Sequence, residues 1–324
     1  MNTVKINDVS ILSTSGVVGK KESEGPLGKY FDEIIIDCEE PTWEQEESHY
    51  MKRSIELSIK KANLTNKDID YIFAGDLLDQ STSAVYGVKD FEIPYIGLFG
   101  ACSTIGLGMG MASLFLNAGY CKYALTSASS HFGAAEKQFR SPLELGTQRP
   151  PTSGWTVTGA GTVLLQKGGT GPKITYFTTG KIVDMGIKDP TNMGAAMAPA
   201  AANTIITHFK DTKTDPSYYD MIVTGDLGGI GRELAFTLMK EEGYTLNNYT
   251  DCGILIYNKR QDTHAGGSGC ACSAVTFASF LYKKMLEKEI KTLLFVPTGA
   301  LMSATSIRQK RPMMGIAHAI SIEI

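Results

Sequence analysis

A surplus of positive charge is missing: 31 Lys and Arg stand against 34 Asp and Glu, a formal net charge of -3 over 324 residues. Neutralising a phosphate backbone takes a basic stripe, so nucleic acid is not an expected partner. Long apolar runs are missing too. The longest, residues 96–116, is broken by Gly, Cys, Ser and Thr, and falls short of the roughly 18 uninterrupted apolar residues of a spanning helix. Any work at a membrane would be that of a peripheral guest. The six cysteines are scattered, and the stretch after Met1 carries no leader pattern, so free thiols in a reducing, cytoplasmic compartment are expected rather than disulfides. Only Cys270-Ala-Cys272 lie close together. Without a second pair or a histidine at ligand spacing they read as buried thiols, and neither a metal nor a cofactor is expected.

What the chain does have is apolar material, 43% of its residues, and an internal repeat. Asp70-Tyr-Ile-Phe-Ala-Gly-Asp-Leu77 recurs as Asp220-Met-Ile-Val-Thr-Gly-Asp-Leu227, an offset of 150, and residues 45–62 fall over 195–212 as helices leading into the repeated strand. Ala101-Cys-Ser103 returns as Ala271-Cys-Ser273 at an offset of 170, so the second copy carries an insertion between Leu227 and Cys272, with 258–268 a natural place for it.

Each copy reads as strand, helix, strand, helix, strand, helix, strand, strand. The strands fall near 4–12, 71–74, 95–99, 123–126 and 156–165, then 173–177, 221–223, 253–257, 293–296 and 316–322. Helices fall near 44–62 and 104–118, then 195–209, 231–241 and 273–286. Such alternation predicts an α/β fold of two duplicated halves, 1–168 and 169–324, with their central helices paired in a five-layer α-β-α-β-α sandwich.

Candidate chemistry gathers where strands end. Cys102 follows the apolar run 96–101 and opens a glycine-rich helix with Ser103 and Thr104. The positive end of a helix lowers a thiol pKa, and its unpaired N–H groups can equally hold a carboxylate. His131 leaves the strand near 123–126 at the same sheet edge. The long loop beyond it offers Arg140, preferred here, and Arg149 as carboxylate forks, although either alone is more often a surface ion pair. In the second copy His264-Ala-Gly266-Gly267 sets an imidazole beside glycines that permit close backbone approach. His318 reads as a core histidine; His49 and His208 read as surface or interface positions on helices.

These features, a duplicated unit with Ala-Cys-Ser at a strand-to-helix turn and a second-half His-x-Gly-Gly-Ser-Gly, resemble the thiolase and ketoacyl synthase superfamily. The chain is more closely similar to the stage V sporulation protein AD family. That likeness rests on Gly25-Pro-Leu-Gly-Lys-Tyr-Phe31, Ala74-Gly-Asp-Leu-Leu78, Phe99-Gly-Ala-Cys-Ser-Thr104, Ser129-Ser-His131, Met193-Gly-Ala-Ala-Met-Ala-Pro-Ala-Ala-Ala202, Gly266-Gly-Ser-Gly-Cys-Ala-Cys-Ser-Ala274 and Thr298-Gly-Ala-Leu-Met-Ser303.

The resemblance implies a thiolase-like fold without catalysis. Its implied role is binding of dipicolinic acid (pyridine-2,6-dicarboxylate) for transport into the developing spore, at the forespore inner membrane beside membrane proteins of the same transport complex. It also implies a homodimer paired through residues 95–99. The expected ligand-binding residues are Cys102, Ser103, Thr104, His131, Arg140, His264, Gly266 and Gly267. The superfamily's C-terminal cysteine before a glycine run is absent, replaced by the basic stretch 299–312, which speaks against condensation chemistry. Two alternatives remain: an acyltransferase with Cys102 as nucleophile, and an adaptor whose pocket is vestigial.

Overall fold

The computed structural model describes residues 2–139 and 149–324. The sequence repeat is a repeat of structure. Helices Trp43–Lys61 and Met193–Thr212 start 150 positions apart, each capped by the residue before it: Thr42 Oγ1 accepts the Gln45 N–H at 3.3 Å, and Asn192 Oδ1 the Ala195 N–H at 3.4 Å. Each leads through a short 3-10 turn into a strand, Tyr71–Asp76 or Met221–Thr224. The aspartate before each strand does the same job twice. Asp70 Oδ2 accepts the N–H groups of Lys122 (2.8 Å) and Tyr123 (3.0 Å), and Asp220 Oδ2 those of Lys291 (2.7 Å) and Thr292 (3.0 Å), pinning the start of the neighbouring parallel strand.

Strand order repeats as well. From its edge inward the first sheet runs Tyr95–Gly97, Tyr71–Asp76, Tyr123–Ser130, Gly159–Lys167, Val9–Val18, and the second runs Tyr249–Asp251, Met221–Thr224, Thr292–Val296, Ala319–Glu323, Lys173–Thr178. They join at a single residue pair, Ser10 with Lys173. Helix Thr104–Asn117 packs on strands of both sheets and so lies between them. Phe277, in the helical run that starts at Cys270, stacks on Phe295 of the second sheet with centroids 4.7 Å apart. Helix Trp43–Lys61 covers the outer face of the first sheet, and Met193–Thr212 with Gly228–Glu241 that of the second. Three apolar clusters fill the four gaps of this five-layer sandwich, the largest lying on both sides of the central helices. The glycines of the central helix serve that contact: a Cβ on Gly110 would stand 2.2 Å from the Phe177 ring.

The expected elements shift in a few places. Residues 253–257 are not a strand: helix Cys252–Ile256 forms there because Asp251 Oδ1 takes the Gly253 N–H at 3.0 Å, and the edge strand is Tyr249–Asp251. The strand expected at 4–12 is two, Thr3–Lys5 and Val9–Val18. The stretch 316–322 is also two strands, Met314–Ala317 and Ala319–Glu323, parted at His318, whose N–H turns to Pro297 O (3.1 Å) and whose pKa burial lowers to about 4. His208 is no surface residue. It is buried, with Nδ1 2.8 Å from Thr178 Oγ1 and Nε2 2.6 Å from the Tyr219 hydroxyl, and burial brings its pKa to about 4 as well. Among the described residues no helix is long and apolar enough to cross a membrane.

Candidate functional site

Cys102, Ser103 and Thr104 sit at the strand-to-helix turn as expected, but the turn is closed over. Ala101 adopts φ 47° and residues 101–103 form a 3-10 turn ahead of helix Thr104–Asn117. Ser103 Oγ donates to Gly100 O (2.6 Å) and Thr104 Oγ1 to Ala101 O (2.7 Å). The Ser103 N–H is spent on Gly100 O (3.0 Å), and Gly299 packs against the turn so closely that a Cβ there would come 2.3 Å from Gly100 O and 3.3 Å from the Cys102 nitrogen. The expected carboxylate cradle is therefore filled by the chain itself.

The thiol meets a carboxyl, not a cation. The Cys102 thiol lies beside Asp226, which follows the second copy's repeated strand. Asp226 accepts from Ser268 Oγ (3.0 Å), Gly269 N–H (2.9 Å) and Thr298 Oγ1 (2.9 Å). Burial, and then the Asp226 charge, push the Cys102 thiol well above its usual range, overriding the helix-terminus effect expected from sequence. Burial likewise raises the Asp226 carboxyl. The void reaching Asp226 past Gly154, Gly228, Gly267 and Ser268 is only about 10 Å³, room for one water. Iodoacetamide at pH 8 should accordingly modify the half-buried Cys38 and Cys121 while Cys102 stays unlabelled until the protein unfolds, as peptide mapping would read. Labelling of Cys102 at a free-thiol rate would contradict this enclosure.

An open cavity of about 560 Å³ lies elsewhere, and Cys102 is not among its walls. The turn Lys20–Ser23 contributes Lys20, Lys21 and Glu22, helix Trp43–Lys61 contributes Trp43 and Tyr50, and the end of strand Tyr123–Ser130 contributes His131 and Phe132. Arg149 and Trp155 complete it. Both tryptophans of the chain line this one space. Phe132 stacks on Trp155 at 3.9 Å and 8°, while Lys21 Nζ stands 3.8 Å, and the Arg149 guanidinium 4.5 Å, from the same indole. Burial, and then the nearby Arg149, lower the Lys21 pKa.

His131 reaches this cavity with both ring nitrogens engaged. Nδ1 accepts the Gly133 N–H at 3.1 Å, which leaves the ring proton on Nε2, 2.8 Å from Glu46 Oε2. Burial favours the neutral ring despite Glu46. It forms wall and anchor rather than the ligand donor expected from sequence. The pairing of Cys102 with His131 in one cradle is thus not realised. The two turns meet only through the helix start at Cys270, where Ser130 Oγ accepts the Ala271 N–H at 3.0 Å and Cys270 Sγ donates to Ala101 O at 2.8 Å, and thiol and imidazole face different spaces.

The insertion in the second copy backs the far wall from behind. Trp155 N–H donates to Gly266 O (2.8 Å), strands Trp155–Thr156 and Gly267–Ser268 pair in parallel, and Arg149 Nη2 donates to Asp262 O (2.8 Å). Gly266 and Gly267 are therefore scaffold, and a Cβ on Gly266 would stand 2.5 Å from Gly253 O. His264 lies on this loop, partly exposed and 3.8 Å from Asp262 Oδ1, outside both the cavity and the Cys102 network. Arg140, the preferred fork in the sequence, lies outside the described residues. Sequence reasoning passed over Lys20, Lys21, Glu22, Trp43, Trp155 and Asp226. The signals were there: the only two tryptophans, and a repeated Gly-Asp whose second member meets the thiol.

The family model for Stage V sporulation protein AD matches residues 1–323. The chain belongs to the stage V sporulation protein AD family. It is 43% identical over 318 residues to the Stage V sporulation protein AD of Bacillus subtilis strain 168, covering 97% of this chain and 94% of that one. Solved structures share the fold of this sporulation family at low identity. Cerulenin-bound OleA of Xanthomonas campestris matches with a TM-score of 0.67 at 12% identity, over 99% of this chain and 100% of that one. The 3-oxoacyl-[acyl-carrier-protein] synthase III of Aquifex aeolicus matches at 0.61 and 13%, over 98% and 100%. The AD family thus has a thiolase-like architecture.

Proposed function

We propose that this chain binds dipicolinic acid in the 560 Å³ cavity, without catalysis, for its transport into the developing spore. The observation that carries the reading is the Trp155 cluster: a flat indole wall with Lys21 and Arg149 held within 4.5 Å of its centroid. A planar aromatic diacid needs a face to stack on and cations at its rim. Phe132 and the Lys21 ammonium cover the faces of Trp155 itself, so the cavity supplies Trp43, Phe132 and Tyr50 for the ring, and Lys20, Lys21 and Arg149, the last two gathered by the indole, for the carboxylates, in a chain whose net charge is -3. Its volume suits a small ligand.

Titrating dipicolinate while following tryptophan emission tests this directly, because both indoles lie at the site. Saturable quenching is expected. A flat titration with benzoate, pyridine-2-carboxylate and dipicolinate alike would dismiss the reading.

The acyltransferase alternative needs an ionised, reachable Cys102, and the raised thiol, the Asp226 carboxyl and the 10 Å³ void weigh against it. Stoichiometric acylation of Cys102 by an acyl thioester would restore it. The same proposal includes peripheral action beside membrane proteins of a spore transport complex, and a homodimer. The edge strand Tyr95–Gly97, with exposed Val85, Tyr86 and Phe99 in the surrounding segments, supports the dimer, which sedimentation would test.

A further inference from the structure

Glu22 is out of place in a cavity suited to anions. Its carboxyl is 1% exposed yet lines the open space beside Lys20 and Lys21. Oε1 accepts two hydrogen bonds, from the Tyr257 hydroxyl and from the Thr158 N–H at 3.1 Å. Oε2 stands against Gly19, where a Cβ would come 3.0 Å from it and 3.4 Å from the Tyr50 hydroxyl, and Gly19 and Tyr50 are two further walls of the cavity. The Tyr50 hydroxyl itself donates to Ile35 O at 3.1 Å. Lys21 does not neutralise Glu22 by direct pairing, because its ammonium is drawn over the Trp155 ring.

An ionised carboxylate here would repel an entering dianion at close range with little water to screen it. A neutral carboxyl would present an O–H to it instead. We propose that Glu22 is protonated in the ligand complex and donates a hydrogen bond from Oε2 to one carboxylate of the bound diacid, so that each ligand molecule enters with one proton taken from solvent. This rests on the binding reading above and adds to it a specificity device: a doubly charged planar acid meets cations at one rim and a carboxylic acid at another.

The surroundings agree. Burial is the largest influence on Glu22 and raises its pKa, while the Tyr257 hydroxyl and the Thr158 N–H pull the other way. The charged and titratable groups facing it are Lys21 on its own turn, Tyr257 from the second copy and Tyr50 from the long helix. Farther along the walls stand Lys20, Arg149, Glu136 and the neutral His131 with its Glu46. A bound dianion raises the Glu22 pKa further. Proton uptake then occurs between the pKa of the free protein and that of the complex, and affinity falls with rising pH by up to about tenfold per unit in that window.

The test is calorimetric titration of dipicolinate into the whole protein, at pH values where both ligand carboxylates stay ionised, in buffers of different ionisation enthalpy. Wild type should take up close to one proton per ligand. Glu22→Gln, which keeps the Oε1 contacts and an N–H donor at the other position, should bind with no uptake and with affinity nearly independent of pH. Tyr257→Phe, which removes a donor that favours the ionised form, should move the fall in affinity to higher pH. Binding without proton uptake in wild type, or an unchanged pH profile in Glu22→Gln, overturns this inference and leaves the binding reading standing. No binding at any pH overturns both.

Discussion

Lys21→Met is expected to weaken dipicolinate binding by about 10- to 150-fold, the equivalent of one charge-assisted hydrogen bond of roughly 1.5–3 kcal/mol. Methionine keeps the aliphatic stem against Trp155 and deletes only the ammonium that stands 3.8 Å from its ring centroid. Lys21 is the sharper probe of the two cations at the indole because Arg149 also holds Asp262 O, so its loss would disturb the loop as well as the charge. Lys21→Arg should recover part of the affinity, since charge and ring contact are kept while the geometry changes. Titration of purified variants with matched melting curves reads the effect. A Lys21→Met protein that binds within twofold of the parent would mean that the ligand does not touch this wall.

Asp226→Ala should cost about 3–5 kcal/mol of stability, the largest loss expected from any one substitution at the inner network. The alanine would leave the hydroxyls of Ser268 and Thr298 and the Gly269 N–H without their shared acceptor, beside a void with room for one water. For a chain of this size that corresponds to a fall in melting temperature of roughly 4–7 °C. Asp226→Asn should fall between, because an amide restores an acceptor to one side of the hub and turns a donor to the other. Thermal melts followed by far-ultraviolet circular dichroism decide it. An alanine variant melting within 2 °C of the parent, on that same scale, would show that these bonds contribute little.

Architecture was legible in the sequence because duplication is a long-range signal. The offset of 150 placed two helices, two strands and two anchoring aspartates before any packing was known, and the apolar clusters follow from that order. Local errors arose where a side chain outvoted propensity. Asp251 caps a helix inside an apolar run that reads as a strand, and His208 is drawn inward by Thr178 and Tyr219 from a helix face that reads as polar.

The site was less legible, for a different reason. A thiol at a helix start is reactive only if the space before it is open, and that space is decided by Gly299, nearly 200 positions away in the chain. His131 lines a cavity, though not one shared with Cys102, and the partners of its two nitrogens, Glu46 and Gly133, decide what it can do there, and Glu46 comes from a distant helix. The aromatic and cationic walls are assembled from four separate segments, so no short motif announces them.

The two-residue ladder between Trp155–Thr156 and Gly267–Ser268 has one face on the cavity and the other on the buried hub, since Ser268 donates to Asp226 while Trp155 walls the open space. Those two places are mechanically one object. A guest held in the cavity would push on a strand whose partner is fastened to Asp226, beside Cys102. Screens for altered affinity should therefore return hits deep inside the protein, at positions no guest can reach.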